Sequence, residues 1–356
     1  LTMSPNKSKG IMHEVSVIRP SDSENWNDQL ASGAGFSFFH SREWADILTQ
    51  SYGYKPYYLT TSGAGKIDNL LAVMEVRSRI TGIRGVSLPF TDICEPVAQS
   101  TDQFSALWQK ALTLGRERNW SYLEIRGGEK YLAEKPPFVC HVGHRLDLSG
   151  GHEAVFSGLR DSTKRNIKKA KRERVEVNIS NSADALKEFC RLNVLTRRKH
   201  GLPPQPSRFF RRLFEAIIAN EKGFVALATL GNEVIAANVY LCFGDQVIYK
   251  YGASDDRRQH LRANNLIMWK AIKWSCDRGY KHLCFGRTET QHQGLIQFKA
   301  GWGGESQTIS YYRYDLKKEG FVNAPPDGNP VYQRIFRKLP IPALKLIGKT
   351  AYRHMG

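Results

Sequence analysis

Between Gly223 and Gly252 three runs of strand-forming residues, Gly223 to Leu230, Glu233 to Phe243 and Gln246 to Gly252, are separated by only two residues each time. The separators are Gly231-Asn232 and Gly244-Asp245, pairs suited to the positive φ values of tight hairpin turns. Loops this short cannot carry a parallel crossover, so the three strands read as an antiparallel meander. A helix then runs from Asn264 to Arg278, with Ile267, Met268, Ala271 and Ile272 on one stripe and Gly279 as its stop. A strand over Lys281 to Phe285 follows. Ahead of the meander stand a basic helix from Asp161 to Arg174, a strand from Val175 to Ile179, and a helix capped by Ser182 that reaches about Lys199. Pro203, Pro204 and Pro206 end that helix, and another follows with Ser207 as its expected cap. Pattern alone gives an α+β or mixed-sheet class.

The first half reads less clearly as the same order of elements. It predicts a helix over Ser41 to Ser51, strands over Pro56 to Thr61 and Leu70 to Val76, a helix over Asp102 to Arg118, and strands at Ser121 to Arg126 and Arg145 to Leu148. Gly150 and Gly151 break the pattern there. The expected organisation is an N-terminal unit over 1–150, a C-terminal unit over 151–325 and a basic, apolar tail over 326–356.

Charge narrows the partners. The formal net charge is +18, and three stretches supply nearly all of it: residues 151–174, 191–215 and 331–356. Such a field concentrates polyanions, among them RNA, nucleotide sugars, CoA and acidic lipid, although a basic surface also serves solubility alone. Six cysteines are scattered without C-x-x-C spacing. They read as reduced thiols of a cytoplasmic protein and argue against a disulfide framework or a metal site. No apolar run approaches the ~20 residues of a membrane span, and the polar start is unlike a secretory signal.

Two stretches carry candidate chemistry. In Asp161 to Arg174, Lys164, Lys168 and Arg172 stack at four-residue spacing, as do Arg165 and Lys169. Each like-charge pair costs an isolated helix roughly 0.2–0.5 kcal/mol, so the face suits either an anion or plain solvent. The second, Gly286 to Glu305, follows a strand and places Arg287 and Thr288 where that strand end meets a helix start, a position that holds ligands in open sheets. Phe298 and Lys299 sit near the helix end, and Gly301, Gly303 and Gly304 lie beyond. A glycine cap with a surface lysine is the plainer account of that end.

The segments "LRDSTKRNIKKAKRERVEV", "YKYGAS", "LCFGRTE" and "GLIQFKAGWGGE", taken in order, resemble the Fem-type transferases of the GNAT superfamily. "FSFFHSREWADILTQSYGYKPYYL", which contains Trp44, and "LPFTDICEP", which contains Asp92, resemble that family's first domain. With its tail, the chain looks most similar to Fem-like proteins of exosortase and exopolysaccharide systems. The resemblance implies two GNAT-like domains, each a mixed, mainly antiparallel sheet flanked by helices. It also implies direct attack by an amine on a thioester or aminoacyl ester, with no metal. Carried over by position, it gives Lys299 and Phe298 a place at the reacting ester and Tyr251 one beside the acyl carbon, where a packed strand aromatic is the plainer reading. Lys164, Arg165 and Lys168, with Arg287, Thr288, Asp92 and Trp44, would bind substrate.

The implied function is N-acyl or aminoacyl transfer to an amino group of a cell-envelope precursor, in peptidoglycan or exopolysaccharide synthesis. The donor is left open between acyl-CoA and aminoacyl-tRNA. Simple acetyltransferases grip pyrophosphate with a glycine-rich loop, whereas Asp255 to Asn264 contains no glycine. The acceptor would be an anionic small molecule or a lipid-linked precursor. In the tail, Pro340 and Pro342 break any single helix; it is expected either to pack on the body or to touch the inner membrane face. A non-catalytic RNA-binding protein using the basic patches is the alternative, though the usual RNA-module signatures are missing.

Overall fold

The computed structural model describes residues 14–63, 66–324 and 331–356. The first half runs β1 (Ser16–Ile18), α1 (Trp26–Ala31), α2 (Arg42–Tyr52), β2 (Lys55–Gly63), β3 (Lys66–Ser78), β4 (Gly82–Val86), α3 (Thr101–Glu117), β5 (Tyr122–Arg126), α4 (Glu129–Leu132) and β6 (Val139–Asp147). The second half opens with α5 (Gly151–Gly158), α6 (Asp161–Arg172), β7 (Val175–Ser180), α7 (Ala183–Lys199) and α8 (Ser207–Leu213). It continues with β8 (Gly223–Leu230), β9 (Glu233–Phe243), β10 (Gln246–Ser254), α9 (Ala263–Asp277), β11 (His282–Glu289), α10 (Gln293–Ala300), β12 (Glu305–Asp315) and β13 (Gly320–Phe321). The tail forms α11 (Val331–Lys338) and α12 (Ile341–Ala351). The expected join between body and tail, at 325–326, lies outside the described residues.

Local chemistry explains the ends of these elements. The Ser41 hydroxyl accepts the Trp44 amide to cap α2, and Gly53 closes it at φ +76. The meander forms with Gly231 and Gly244 at φ +57 and +55. Ser207, expected as a cap, is instead the first residue of α8 behind Pro206. That proline donates no amide, so the preceding chain stays extended.

All the main strands join one sheet, in the order β1-β2-β3-β4-β5-β12-β6-β11-β10-β9-β8-β7. Read from its two edges inward, the order repeats: five strands of the first half face five of the second. At the centre the sixth strands change places. β12 of the second half pairs with β5 of the first, and β6 of the first pairs with β11 of the second. The two expected sheets are therefore continuous with each other.

Every pairing is antiparallel except β4 with β5 and β10 with β11. These two parallel pairs are short, because each pair diverges after a few residues. β4 and β5 are in register only at Gly85–Leu123 and Val86–Glu124. Their wedge is filled by residues 87–97, whose Ser87 and Cys94 amides bond the Glu124 and Arg126 carbonyls of β5. The filling is tight enough to hold Leu88 and Phe90 at φ 58 and 62, a region that side chains disfavour. β10 and β11 are in register only from Gln246–His282 to Ile248–Cys284, and the wedge beyond stays open.

Three apolar clusters fix the layers. One packs α2, α7 and α8 on strands of both halves. A second covers the opposite face of the second-half strands with α6 and α9, through Ile167, Ala170, Ile267 and Ile272. The third seats α3 on the first half. The two halves thus share one core as well as one sheet.

Candidate active site

The open wedge between β10 and β11 is a cavity of about 790 Å3. Its walls are the inner ends of the two strands, the turn from Asp256 to Leu261 with the start of α9, and α10. Asp92, on the segment that fills the first-half wedge, reaches in from the other half.

Irregularities in both strands set the geometry. In β10 the register slips between Tyr249 and Tyr251, leaving Lys250 as the extra residue of a bulge. Its side chain is buried, and the Nζ donates to the Asp92 carboxylate and to the Phe90 carbonyl, each at 2.8 Å. The rings of Phe39, Trp44 and Tyr251 surround the ammonium at 5.0–5.7 Å. Burial alone would favour neutral forms of both partners. It does pull Lys250 below the ordinary lysine range, against the attraction of Asp92. For Asp92 burial is the largest single influence and pushes upward, but the charge and hydrogen bond of Lys250, with the charges of Arg287 and Lys299, together outweigh it. They hold the carboxyl below its ordinary value, so the carboxylate is ionised at neutral pH.

In β11 the register slips between Cys284 and Arg287. Gly286 takes φ +66 there, and a Cβ at that position would lie 3.1 Å from the Asp92 carboxyl carbon. The slip turns the Gly286 and Arg287 carbonyls to Lys299 of α10, whose Nζ donates to them at 3.2 and 3.1 Å. Lys299 is only 3% exposed. Burial lowers its pKa to about 8, with the Asp92 charge opposing the fall. Arg287 donates to the His141 Nε2 at 2.7 Å, and its guanidinium stands 5.2 Å from the Tyr311 ring centre. Burial, then Arg287, take His141 to about 4, so the imidazole is neutral and accepts. The Tyr311 hydroxyl in turn donates to the Asp92 carbonyl at 2.6 Å.

Of the residues singled out from sequence, Lys299, Phe298, Arg287 and Asp92 meet in this cavity. The others do not line it. The β10 bulge reverses the alternation, so Tyr251 turns to the same side as Ile248 and packs on Phe189, Phe209 and Phe210. Trp44 is fully buried against Phe38, Phe39 and Phe209 and reaches the site only through the Lys250 ammonium. Thr288 is buried in β11 with its hydroxyl unpartnered. Lys164, Arg165 and Lys168 stand on the outer face of α6, and Lys164 donates to the Ser157 carbonyl. α6 instead meets the end of α10 outside the cavity lining, where Thr163 donates to the Gly301 carbonyl.

Lys250 escaped the reading of the sequence. The available signal was a charged residue between two tyrosines in an otherwise apolar strand. Among the described residues no cluster of His, Cys, Asp and Glu could hold a metal ion, no helix is long and apolar enough to cross a membrane, and all six cysteines are free.

Residues 157–294 match the acetyltransferase (GNAT) domain family. Over 91% of this chain and 100% of the other, the structure superposes on that of FemX with a TM-score of 0.68 at 12% identity. The chain has the Fem-type GNAT fold. A tandem GNAT protein of the clavulanic acid pathway aligns over 88% of this chain and 99% of its own, with a TM-score of 0.53 and 11% identity. In sequence, 139 residues are 28% identical to a UDP-N-acetylmuramoylpentapeptide-lysine N(6)-alanyltransferase of Weissella viridescens. That match takes in 38% of this chain and 41% of the relative, so the chain spans about two-fifths of the relative's length. The Fem-type fold places the matched GNAT segment around the open wedge.

Proposed function

We propose that the protein transfers an acyl or aminoacyl group to an amino group of a cell-envelope or exopolysaccharide precursor, forming an amide. The observation that carries this reading is the trio of Asp92 carboxylate, Lys250 ammonium and Lys299 ammonium at the inner end of one cavity. The acceptor nitrogen attacks the carbonyl carbon of a thioester or aminoacyl ester. Negative charge develops on the carbonyl oxygen, where the fixed Lys299 ammonium stabilises it. The C–S or C–O bond then breaks. The nitrogen gives up one proton and the departing sulfur or oxygen takes one, with the ionised Asp92 as its station.

No enzyme nucleophile is needed. Cys284 is the nearest thiol, and burial raises its pKa, so the thiolate is disfavoured. Arg258 and Arg262 at the cavity wall supply positive charge for the phosphates of a CoA or RNA-borne donor. Arg262, at φ 60, opens α9 where glycine would be usual. We assign Lys164, Arg165 and Lys168 to the anionic remainder of a substrate extending beyond the cavity. The fold is divided functionally near residue 150, the second half carrying the wedge and the first supplying Asp92. The alanyltransferase relative, named for a nucleotide-linked peptide, favours an acceptor of that kind. Such work belongs on the cytoplasmic side, where nucleotide-linked precursors and both donor classes are available.

Transfer from labelled acyl-CoA and from aminoacyl-tRNA to a nucleotide-linked peptide amine tests the reading. Amide product with one donor class, abolished in Lys299→Ala, supports it. RNA binding without transfer from either donor overturns it in favour of a binding protein.

A further inference from the structure

Among the described residues eight large apolar side chains stand exposed, and their placement is uneven. Tyr332 at 50%, Ile335 at 53%, Leu346 at 64% and Met355 at 49% all belong to the tail. Ile80, at 77%, is at the tip of the β3–β4 turn. That turn is tied to the tail's end: the Ser78 hydroxyl lies 2.9 Å from the His354 Nδ1, and the Thr81 hydroxyl donates to the His354 carbonyl.

The tail is seated by its inner side. On α12, Leu344 and Gly348 are buried, followed by Tyr352, and a Cβ on Gly348 would collide with the Pro204 carbonyl oxygen. α11 lies against α7. Two helices docked this firmly leave outward faces that the body does not cover. On α12 these carry Pro342, Lys345, Leu346 and Lys349; on α11, Tyr332, Arg334, Ile335, Arg337 and Lys338. From 331 to 356 there are six Lys/Arg and no Asp/Glu, and the β3–β4 turn adds exposed Arg79.

We propose that this face docks on an anionic lipid bilayer. Aliphatic tips flanked by lysine and arginine match a surface of acidic headgroups over acyl chains: the tips enter the apolar boundary while the cations stay among the headgroups. An RNA partner would call for exposed aromatics to stack its bases, and four of these five exposed side chains are not aromatic. A second copy of the chain would oppose one all-basic face with another. The cavity and its chemistry take no part in the argument, so the inference stands apart from the transferase reading.

The test is co-sedimentation of the full chain with vesicles of phosphatidylcholine alone and of phosphatidylcholine mixed with phosphatidylglycerol. Binding to the mixed vesicles only is expected, falling as salt rises. A basic side chain near such a surface contributes about fivefold in affinity. The pair Lys345→Ala and Lys349→Ala should therefore weaken binding on the order of 30-fold. A second pair, Ile335→Ser and Leu346→Ser, should weaken binding at every salt concentration, and both pairs alter exposed positions. Equal binding to both vesicle types, no binding to either, or unchanged binding in both variant pairs would overturn the proposal. So would single-stranded RNA binding or self-association that the same substitutions abolish while vesicles are ignored.

Discussion

Lys299 is buried where its ammonium is least comfortable, and that cost is also its use. Two backbone carbonyls accept its protons, yet burial still lowers its pKa to about 8. If the ammonium is the working form, activity falls as pH rises through about 8, and kcat against pH should show that alkaline limb. Stability moves the other way: the unfolded lysine holds its proton up to 10.5, so the folded state gains as pH rises from about 8 toward that value. Lys299→Ala should lower kcat by about 10²–10³-fold with little change in KM. Lys299→Arg should recover part of it and remove the alkaline limb, because a guanidinium does not titrate there. Lys250 predicts a different failure. Lys250→Met would leave the Asp92 carboxylate buried without its partner, at a cost of about 3–5 kcal/mol in urea unfolding. That pair's contribution is present above the ordinary carboxylate range and is lost as pH falls through the depressed Asp92 value.

At the scale of elements, the two irregular strands do the positioning. Gly286 is the position where the β11 distortion depends on residue type, with φ +66 and Asp92 directly over the missing Cβ. Gly286→Ala should cost about 1–2 kcal/mol for the left-handed backbone and displace Asp92, so thermal unfolding and kcat should fall together. How far such features are legible in sequence varies with the range of the forces that make them. The meander, its two turns and the helix behind it follow from neighbouring residues, and their bounds agree with expectation to within about two residues. The β10 bulge is decided by long-range packing of Lys250 among Asp92 and three aromatic rings. Its consequence, the turning of Tyr251 into the core, therefore could not be read from alternation. Phe298 and Lys299, marked only by their place in an ordered set of motifs, line the cavity, whereas the lysines on the outward face of α6 do not enter it.

Across the whole molecule the decisive feature is the exchange of β6 and β12, which leaves neither half with a finished sheet. The break at Gly150-Gly151 was visible, but nothing local in β6 or β12 says which strand it will pair with. Separately expressed pieces 14–150 and 151–356 should each expose an unpaired central edge and aggregate, while co-expression should give a soluble complex. Size-exclusion chromatography distinguishes that outcome from two independently folded halves. The same exchange places Asp92 of one half against Lys250 and Lys299 of the other, which joins assembly of the sheet to assembly of the site. The proposed direct attack at this shared site leaves no acyl group resting on the protein at any step. Intact-protein mass, measured during turnover with donor and amine acceptor both present, distinguishes direct attack from a covalent acyl-enzyme. Direct attack gives accumulating amide product and an enzyme that stays at its unmodified mass. A chain that gains the mass of the transferred acyl group, at Cys284 or elsewhere, would contradict it.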